Sequence, residues 1–549
     1  MNRDRCAALR GRTYDVIVVG AGIYGATIAF EAARQGLTVA MVERSDFGSQ
    51  TSANSLKIIH GGLRYLQHLD LRRMRESIRA RRALLQEMPH LVRPLQCLMP
   101  TQGYALRSRA AMRMALALND LVSFDRNAGI DTGNRLAAGY TISRQQCAAM
   151  LPGMADADCS GAAVWYDAIA LDTERLTLEF VQRARDCGAT VLNYVRADEL
   201  ITDSRNKVAA LAVSDVLDGT ALDVRATCVV NATGPWLGAL FSRHDPQVGV
   251  SEQRLVWAMN LVIRRKLFEG YAVGVAGSKA YRDHDALINK GHRLYFFAPW
   301  GDLTMIGTMY REHHGGSDNP VVRAADLKEM MDDINSAYPE ARLELDDITY
   351  VHSGLLPGAS GQSGIGEPQL RKDCRIYGPE RPGSIAGLYS VSSVKYTTAW
   401  PVARRLVQRL IKENGLRQAS SPALDSVDRN TGAADDPGGG IPQRLRERYG
   451  TRCTKVFALA AADESPLPDS PVLPVEVKYA IREELACSLE DVVVRRTGIG
   501  SFGRPPRRFV EACTGLMAAE LGWSDARQEE EIARLDDFYT RKSLPMVRY

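Results

Sequence analysis

Residues 15–43 constrain the fold of this chain more than any other stretch. They read DVIVVGAGIYGATIAFEAARQGLTVAMVE. The apolar run Val16–Val19 predicts a strand buried on both faces, and the small residues after the glycines predict a helix packed tightly on a sheet. Gly36 ends that helix, and residues 38–42 predict a second strand that Glu43 closes. The stretch therefore predicts a strand–turn–helix–strand unit.

The glycines between the first strand and the helix have separate physical roles. Gly20 permits the tight turn, Gly22 lets the backbone approach a pyrophosphate, and Gly25 lets the helix pack close to the strand. Glu43 follows at the distance where a carboxylate accepts hydrogen bonds from ribose hydroxyls and repels a 2′-phosphate. The unit predicts binding of FAD or NAD, and not of NADP.

Length and composition limit the remaining function classes. A chain of 549 residues is too long for one core, so two or three domains are expected. No window approaches about eighteen consecutive apolar residues, and the N-terminus lacks the apolar region of a secretory signal. The ten cysteines form no CxxC, and His313-His314 lacks a third metal ligand at sensible spacing. We expect a cytoplasmic protein without a metal site, and a net charge of +4 does not indicate nucleic-acid binding.

The rest of the chain predicts a discontinuous domain organisation. An apolar strand running into Ala232-Thr233-Gly234 is the second signature of a two-dinucleotide-binding fold, and it favours FAD over NAD. The predicted fold class is an α/β, Rossmann-like FAD-binding domain with an antiparallel β-sheet substrate domain and a C-terminal all-α domain. The predicted boundaries are 1–105, 165–250 and 350–414 for the FAD-binding domain, 106–164 and 251–349 for the substrate domain, 415–442 for a linker, and 443–549 for the helical domain.

Two arginine-rich helices raise the question of membrane contact. Residues 70–88 form an amphipathic pattern whose polar face carries five arginines, and a solvated face is favoured for it over contact with anionic lipid. Residues 106–124 alternate arginines with Met and Leu, and packing inside the protein is favoured over a membrane surface. The sequence leaves peripheral contact with the inner face of a membrane open, and it leaves a homodimer open.

Several motifs outside the glycine turn resemble those of one family, the FAD-dependent glycerol-3-phosphate dehydrogenases within the D-amino-acid-oxidase-like flavoproteins. The likeness covers nearly the whole chain. Its motifs are Thr51-Ser52 through Lys57, Ile59-His60-Gly61-Gly62-Leu63-Arg64-Tyr65-Leu66, Val230–Trp236, Ala298-Pro299-Trp300, Lys395-Tyr396-Thr397-Thr398, Glu476-Val477-Lys478-Tyr479 and Arg495-Arg496-Thr497. The HGGLRYL block and the C-terminal KY and RRT motifs are specific to the family.

The resemblance implies that the enzyme transfers a hydride from a secondary alcohol to flavin N5, and that the electrons then pass to quinone or oxygen. It also implies peripheral attachment to the cytoplasmic face of a membrane. With the glycine turn, the residues expected to bind FAD are Gly20, Gly22, Ile23, Tyr24, Gly25, Glu43, Arg44, Thr51, Ser52, Ser55, Lys57, Ile59, Gly61, Gly62, Ala197, Ala232, Thr233, Gly234, Lys395, Tyr396 and Thr397.

This chain departs from the family pattern where the substrate should bind. Asn260 stands where the family has a candidate base histidine, and Leu356 stands where it has an arginine that grips the substrate anion. Tyr310 replaces a family aspartate. An arginine–phosphate contact contributes about 1.5–3 kcal/mol per hydrogen bond, which a leucine cannot supply. The expected substrate-pocket residues are Trp257, Met259, Tyr310 and Leu356, and they indicate a less charged or bulkier substrate.

Oxidation of an alcohol requires a base for the hydroxyl proton and donors that hold the oxygens. The candidate catalytic residues are His60, Arg64, Tyr65, Lys395 and Asn260. Among them, His60, Tyr65 and Lys395 are the candidates for handling the proton, and Arg64 is the candidate anchor for an anion. Two other functions remain open: a flavin-dependent oxidase of an amine or hydroxy acid, and a flavoprotein that has lost turnover and serves as a binding partner.

Overall fold

The computed structural model describes residues 5–103, 108–154, 158–240, 254–280, 292–315, 320–359, 368–371, 373–380, 384–418, 440–461 and 464–542. Its strands are β1 Thr13–Val19, β2 Val39–Val42, β3 Ile58–Ile59, β4 Val92–Gln102, β5 Tyr140–Ile142, β6 Cys159–Ala170, β7 Thr190–Leu192, β8 Val195–Thr202, β9 Val208–Asp215, β10 Ala221–Asn231, β11 Leu255–Ile263, β12 Tyr271–Ala280, β13 His292–Trp300, β14 Leu303–His313, β15 Ile348–Pro357, β16 Arg375–Tyr377 and β17 Leu388–Ser392.

The helices are α1 Ile23–Arg34, α2 Leu71–Glu87, α3 Arg109–Val122, α4 Arg144–Met150, α5 Thr173–Asp186, α6 Leu237–Leu240, α7 Ala324–Ala337, α8 Ala399–Asn414, α9 Gln443–Tyr449, α10 Cys453–Phe457, α11 Pro474–Arg482, α12 Arg507–Leu521 and α13 Asp525–Lys542. A π-helical turn, Asp491–Arg496, lies between α11 and α12.

The first sheet is the dinucleotide-binding sheet that the sequence predicts. Within the described residues it has eight strands, of which β7, β2, β1, β10 and β17 are consecutive and parallel. The β9–β8 hairpin extends it from β10, and β16 pairs antiparallel with β17. Helices α1, α5 and α8 cover one face, where the rings of Phe30, Phe180 and Trp400 meet with centroids 5.6–5.9 Å apart. Aromatic contacts of this kind bury large apolar areas.

The second sheet is mostly antiparallel. Within the described residues its order is β15-β11-β14-β13-β12-β4-β6-β3, with β5 on β6, and the β4–β12 pair is parallel. Helix α7 packs on one face, where Leu327, Met330 and Ile334 enter the core with alternate residues of β11. The C-terminal helices contact other residues of this sheet, because Val262 and Tyr350 share a core with Phe509 and Tyr539.

The predicted fold class is confirmed by these two sheets and the C-terminal helices, whereas the predicted domain boundaries shift. Strands β3, β4 and β15 pair within the second sheet, although their residues fall wholly or largely in segments assigned to the first domain. The reason is long-range pairing: β4 runs antiparallel to β6 from Val92 opposite Ala170 to Gln102 opposite Cys159, and local patterns do not reveal such partners. Most of the predicted linker, residues 419–439, lies outside the described residues.

The two arginine-rich helices differ in their surroundings. In α2, Arg72 and Arg79 are exposed as predicted, but Arg75 and Arg82 form ion pairs with Asp125. In α3 the prediction of interior packing is wrong for most of the apolar side chains, since only Leu116 is buried and the opposite face is exposed. Over the described ranges, the structure contains no helix that is both long and apolar enough to cross a membrane.

Candidate functional site

A cavity of about 570 Å³ lies between the two sheets, and most of the predicted site residues line it. Those that do are Gly20, Gly22, Ile23, Tyr24, Glu43, Arg44, Thr51, Ser52, Ser55, Lys57, Ile59, His60, Gly62, Tyr65, Ala197, Ala232, Thr233, Gly234, Asn260, Tyr310, Leu356, Lys395, Tyr396 and Thr397. Five predicted site residues do not line it: Gly25, Gly61, Arg64, Trp257 and Met259.

The glycine turn between β1 and α1 forms one end of the cavity. Gly20 has φ +95°, and a Cβ there would lie 2.9 Å from the carbonyl oxygen of Ala232. A Cβ on Gly25 would lie 1.7 Å from the carbonyl oxygen of Gly20. Gly25 is therefore needed where the helix meets the turn, although it does not face the cavity. Gly22 directly precedes α1, and the first residues of the helix, Ile23 and Tyr24, line this end, where the positive end of the helix dipole favours an anion.

Glu43 stands at the carboxyl end of β2, beside the glycine turn. Its carboxylate accepts hydrogen bonds from the backbone N–H of Ala21 at 2.8 Å and of Ser45 at 2.9 Å. Burial raises the pKa of this carboxyl, and the two backbone donors oppose that rise. The next residue, Arg44, places its guanidinium 4.2 Å from the ring centre of Trp236, and both side chains belong to the cavity wall.

The segment from Arg44 to Lys57, which we name the cofactor loop, supplies much of the wall. The Ser52 hydroxyl accepts a hydrogen bond from the N–H of Ile23 at 2.9 Å, and the Thr51 hydroxyl donates one to the carbonyl of Leu355 at 2.9 Å. The loop therefore joins the glycine turn to β15. The Lys57 ammonium is directed to Glu174, 2.9 Å away, so it is not available as a donor to the cavity.

His60 forms a dyad with a carboxylate that the sequence analysis did not identify. Its Nδ1 lies 3.2 Å from Oδ2 of Asp167. Burial would raise the pKa of Asp167, but the hydrogen bond from His60 and the nearby charge of Arg81 hold that pKa well below its usual range. Because an ionised carboxylate only accepts hydrogen bonds, the neutral imidazole of His60 that pairs with it carries its proton on Nδ1 and leaves the Nε2 lone pair as an acceptor.

Three further donors hold Asp167 in place. They are the backbone N–H of Gly61 at 2.6 Å, the indole N–H of Trp165 at 3.2 Å and the buried guanidinium of Arg81. A Cβ on Gly61 would lie 2.2 Å from Arg81, so this glycine is needed for packing behind the cavity. The sequence signal was present: Asp167 is a single charged residue within an otherwise apolar strand, which indicates a buried, paired carboxylate.

A cationic group lines the same cavity from the segment that follows β17. The Lys395 ammonium lies 4.2 Å from the ring centre of Tyr65, and both residues line the cavity. Burial and the positive charge of Arg64 lower the pKa of Lys395 to about 8. Arg64 is itself exposed and lies beyond the cavity wall, yet it is close enough to Lys395 to add to the positive potential.

The segment that carries Lys395 is fixed by tyrosines. The Tyr24 hydroxyl donates to the Lys395 carbonyl at 2.9 Å and accepts from the Ser393 hydroxyl at 2.7 Å. The Tyr396 hydroxyl donates to the carbonyl of Thr173 at 3.0 Å. These bonds connect the segment to α1 and α5, and they hold Lys395 at the cavity.

The second sheet closes the cavity with Ala258, Asn260, Thr308, Tyr310 and Leu356. Asn260 is buried and its amide is occupied, because it donates to the carbonyl of Asn54 at 3.2 Å and accepts from the Thr308 hydroxyl at 2.8 Å. A neutral amide does not take up a proton, so Asn260 can position a ligand but cannot serve as a base.

The prediction that Trp257 and Met259 line the substrate pocket is wrong. Side chains alternate along β11, and both residues belong to the core shared with α7, whereas Ala258 and Asn260 face the cavity. Trp257 instead borders a second cavity with Arg311 and His313. Across the described ranges, no group of three or more His, Cys, Asp or Glu residues could hold a metal ion.

The chain matches two family models. The model described as FAD dependent oxidoreductase covers residues 15–409, which is more than half of the chain. The model described as C-terminal domain of alpha-glycerophosphate oxidase covers residues 439–528. The first spans both sheets, and the second falls on the C-terminal helices.

Several proteins of known sequence are similar over nearly the full length. The glycerol-3-phosphate dehydrogenase of Synechocystis sp. is 27% identical over 98% of this chain and 98% of its own. Glycerol-3-phosphate dehydrogenase 2 of Mycobacterium tuberculosis is 29% identical over 95% of this chain and 87% of its own.

Among solved structures, the glycerol-3-phosphate dehydrogenase from Bacillus halodurans complexed with FAD is similar with a TM-score of 0.69. The two share 20% identity, over 99% of this chain and 98% of that one. The FAD-bound L-alpha-glycerophosphate oxidase from Mycoplasma pneumoniae gives a TM-score of 0.52 at 13% identity, over 75% and 97% of the two chains. At these identities the likeness supports the fold.

Proposed function

This chain belongs to the family of FAD-dependent oxidoreductases, and from that premise we propose that it oxidises the secondary alcohol of glycerol-3-phosphate or of a related polyol or sugar phosphate. The residues present fit the cofactor. The glycine turn leaves little room for side chains, and the N-terminus of α1 and Glu43 line the same end of the cavity. When bound, FAD supplies the hydride acceptor at N5.

One observation carries the proposal: a histidine oriented by a carboxylate and a lysine cation line the same cavity as the glycine turn. With Nδ1 of His60 donating to Asp167, Nε2 accepts the proton of the substrate hydroxyl. The imidazolium that forms is stabilised by Asp167, and Asp167 is kept ionised by Arg81. His60 thus serves as the base for the hydroxyl proton, which the neutral amide of Asn260 cannot do.

Lys395 and Arg64 provide the positive charge for an anionic substrate group. Lys395 faces the cavity, and Arg64 lies close enough to lower the pKa of the Lys395 ammonium. Leu356, on the opposite wall, offers no hydrogen bond. We expect the anion of the substrate to bind at the Lys395 end. The residues around Leu356 accept an uncharged or bulkier part of the molecule.

The test is anaerobic mixing of the FAD-loaded protein with glycerol-3-phosphate, glycerol, a sugar phosphate, a hydroxy acid and an amino acid, followed by the absorption of oxidised flavin. The proposal predicts bleaching by a phosphorylated alcohol and none by the amino acid. Bleaching by the amino acid or hydroxy acid alone would identify an oxidase of another class. Bleaching by none of them would indicate a flavoprotein without turnover.

The electron acceptor of the proposal is a membrane quinone, with oxygen as the alternative. Helix α3 and the turn after it expose apolar side chains: Met114 is 75% exposed and Leu121 71%, with Leu118 between them, and Phe124, just beyond the helix, is 78% exposed. Arg113 is exposed on the same helix, as expected for contact with anionic lipid.

This helix is close to the reaction site. The turn Leu63–His68, which carries Arg64 and Tyr65, packs against α3. A quinone dissolved in the membrane would therefore approach near the Tyr65 side of the cavity. A second copy of this chain, covering the same apolar side chains in a homodimer, is the alternative occupant.

Vesicle sedimentation distinguishes these occupants. The full chain should sediment with phosphatidylglycerol vesicles more than with phosphatidylcholine vesicles, and the paired change Leu121→Ser and Phe124→Ser should reduce that binding. Val216→Ser, which replaces a half-exposed apolar residue elsewhere, is the matched control. A dimer in light scattering that dissociates with the paired change, without vesicle binding, would assign the face to a second copy.

A further inference from the structure

The cofactor loop, Arg44 to Lys57, is held from behind by the C-terminal helical domain. One side of the loop lines the cavity. Asp46, near its first end, contacts Arg495 and Arg496 in the π-helical turn Asp491–Arg496, and Lys57, at its second end, is linked through Glu174 to Ser501, just after that turn. The alcohol-oxidising reaction described above does not use these contacts, so they call for a separate explanation.

Asp46 anchors the first end of the loop. It is 1% exposed, and its carboxylate accepts hydrogen bonds from Arg495 and, through both oxygens at 2.7 Å, from Arg496. Asn193 donates a further bond at 2.9 Å. Burial would raise the pKa of Asp46, but the two guanidinium groups hold it well below its usual range. Asp46 therefore remains ionised and bound to the C-terminal domain.

Lys57 anchors the second end through a relay. Its ammonium lies 2.9 Å from Oε2 of Glu174, and Oε1 of Glu174 accepts a hydrogen bond from the Ser501 hydroxyl at 2.6 Å. Lys57 is 2% exposed and has φ +65°, a left-handed conformation that a non-glycine residue adopts only when its surroundings impose it. The ion pair with Glu174 supplies such surroundings.

Between these anchors, the loop contacts the rest of the site directly. The Ser52 hydroxyl accepts a hydrogen bond from the N–H of Ile23, the first residue of α1. The Thr51 hydroxyl donates one to the carbonyl of Leu355 on β15. A displacement of Asp46 or Lys57 would be transmitted to Ser52 and Thr51, because only a few residues separate them and the loop has no core of its own. The shape of the FAD site thus depends on the C-terminal domain.

We propose that the C-terminal helical domain is a positioning element of the FAD site, and that Arg495, Arg496 and Ser501 hold the cofactor loop in its FAD-binding shape. FAD binding and docking of this domain are then thermodynamically coupled, and by linkage each strengthens the other by the same factor. The inference rests on FAD binding and not on which alcohol the enzyme oxidises, so its failure and that of the substrate proposal are distinguishable.

The experiment compares Asp46→Asn and Arg496→Gln with Arg527→Gln in the full chain. Arg527 is also an arginine of the C-terminal domain that pairs with a nearly buried carboxylate, Glu531, but this pair lies within α13 and contacts neither the loop nor α5. FAD dissociation constants are measured by titrating apo-protein and following flavin fluorescence, with thermal unfolding of the apo-proteins recorded in parallel. We expect Asp46→Asn and Arg496→Gln to raise the dissociation constant for FAD at least about tenfold. The control should keep that constant within about threefold of the value for the unaltered chain, even if its apo-protein loses as much stability as the loop variants do.

Equal FAD affinities for the loop variants and the control would overturn the proposal. Hydrogen exchange on the unaltered chain gives a second readout that does not depend on the variants folding. Removal of FAD should increase exchange of the amides in residues 491–501, whereas those of α12 should change little. Unchanged exchange in 491–501 on FAD removal would contradict the coupling.

Discussion

The most informative single substitution is Asp167→Asn. Each carboxylate oxygen of Asp167 accepts two hydrogen bonds: Oδ1 accepts from Gly61 and Arg81, and Oδ2 accepts from His60 and Trp165. Asparagine has one oxygen, which will face the charged Arg81 and Gly61 because a charged donor forms the stronger bond. Its NH₂ then faces His60, so that Nδ1 must accept and Nε2 must carry the proton. His60 would no longer accept the substrate proton at Nε2, and the indole N–H of Trp165 would also lose its acceptor.

The expected magnitude follows from the role of the base. General-base catalysis typically contributes about 10²–10⁴-fold, so we expect flavin reduction by the substrate to slow by about that factor, equivalent to roughly 3–5 kcal/mol. The variant will also be less stable, by about 3–5 kcal/mol if the charge of the buried Arg81 is left largely uncompensated. These effects are separated by measuring single-turnover flavin reduction anaerobically, at saturating substrate, and unfolding by denaturant.

Asp333→Asn is the matched control. Asp333 is another buried carboxylate, 2% exposed, which accepts a hydrogen bond from the Tyr295 hydroxyl at 2.7 Å, and it does not line the cavity. Its loss should lower stability without slowing flavin reduction. If Asp167→Asn reduced flavin as fast as the unaltered chain, or slowed it no more than Asp333→Asn, the role of His60 as an oriented base would be refuted.

Four further substitutions test other parts of the site. Leu356→Arg places a guanidinium on the cavity wall. Charge-assisted hydrogen bonds worth about 1.5–3 kcal/mol should then lower the KM for glycerol-3-phosphate by about 10–100-fold. An unchanged KM in steady-state assays would mean that the anion binds elsewhere. Since the pKa of Lys395 is lowered to about 8, this side chain is a charged ammonium below that pH and a neutral amine above it. The KM for an anionic substrate should therefore rise above pH 8. Lys395→Met lacks the charge altogether and should show the raised KM at every pH. A KM profile of Lys395→Met that still rises at pH 8 would exclude this assignment. Gly25→Ala should abolish FAD retention because its Cβ would lie 1.7 Å from the Gly20 carbonyl oxygen, and Gly22→Ala should also lower it because a Cβ there would hinder the approach of the backbone to the pyrophosphate; full flavin content in either purified variant would contradict these roles.

The sequence predicted those parts of the fold that local patterns determine. The strand, glycine turn and helix of residues 13–34 are consecutive, so their periodicity and small residues are visible without knowledge of any partner. The strand that ends at Asn231 lies parallel to β1, as expected from the small residues that follow it. The C-terminal helices were also predicted, because their charge and period are local properties.

Other features depend on long-range pairing and could not be predicted. Asp167 meets His60 because Ile59 pairs with Ala168 across β3 and β6, which are distant in sequence. The orientation of β11 decides that Asn260 faces the cavity and Met259 the core, and a shift by one residue would reverse both. The sequence shows that successive side chains of β11 alternate between two faces, but it does not show which face lies toward the cavity.

The exposed face of α3 and the anchoring of the cofactor loop illustrate a further limit. An amphipathic helix has the same pattern whether its apolar side is buried or exposed, so the exposure of Phe124 required the tertiary structure. Arg495 and Arg496 stand in a family motif, yet their partner Asp46 is about 450 positions away and nothing in either stretch identifies the other.

The central claim is that FAD and an alcohol substrate meet in this cavity beside His60 and Lys395. A crystal structure of the FAD-loaded protein with glycerol-3-phosphate, or with whichever phosphorylated alcohol bleaches the flavin, tests it most directly. The account predicts the pyrophosphate at the glycine turn, the reacting hydroxyl within hydrogen-bond distance of His60 Nε2, and the phosphate at the Lys395 end. A substrate bound away from His60, or a phosphate enclosed near Leu356 without contact to Lys395, would contradict it.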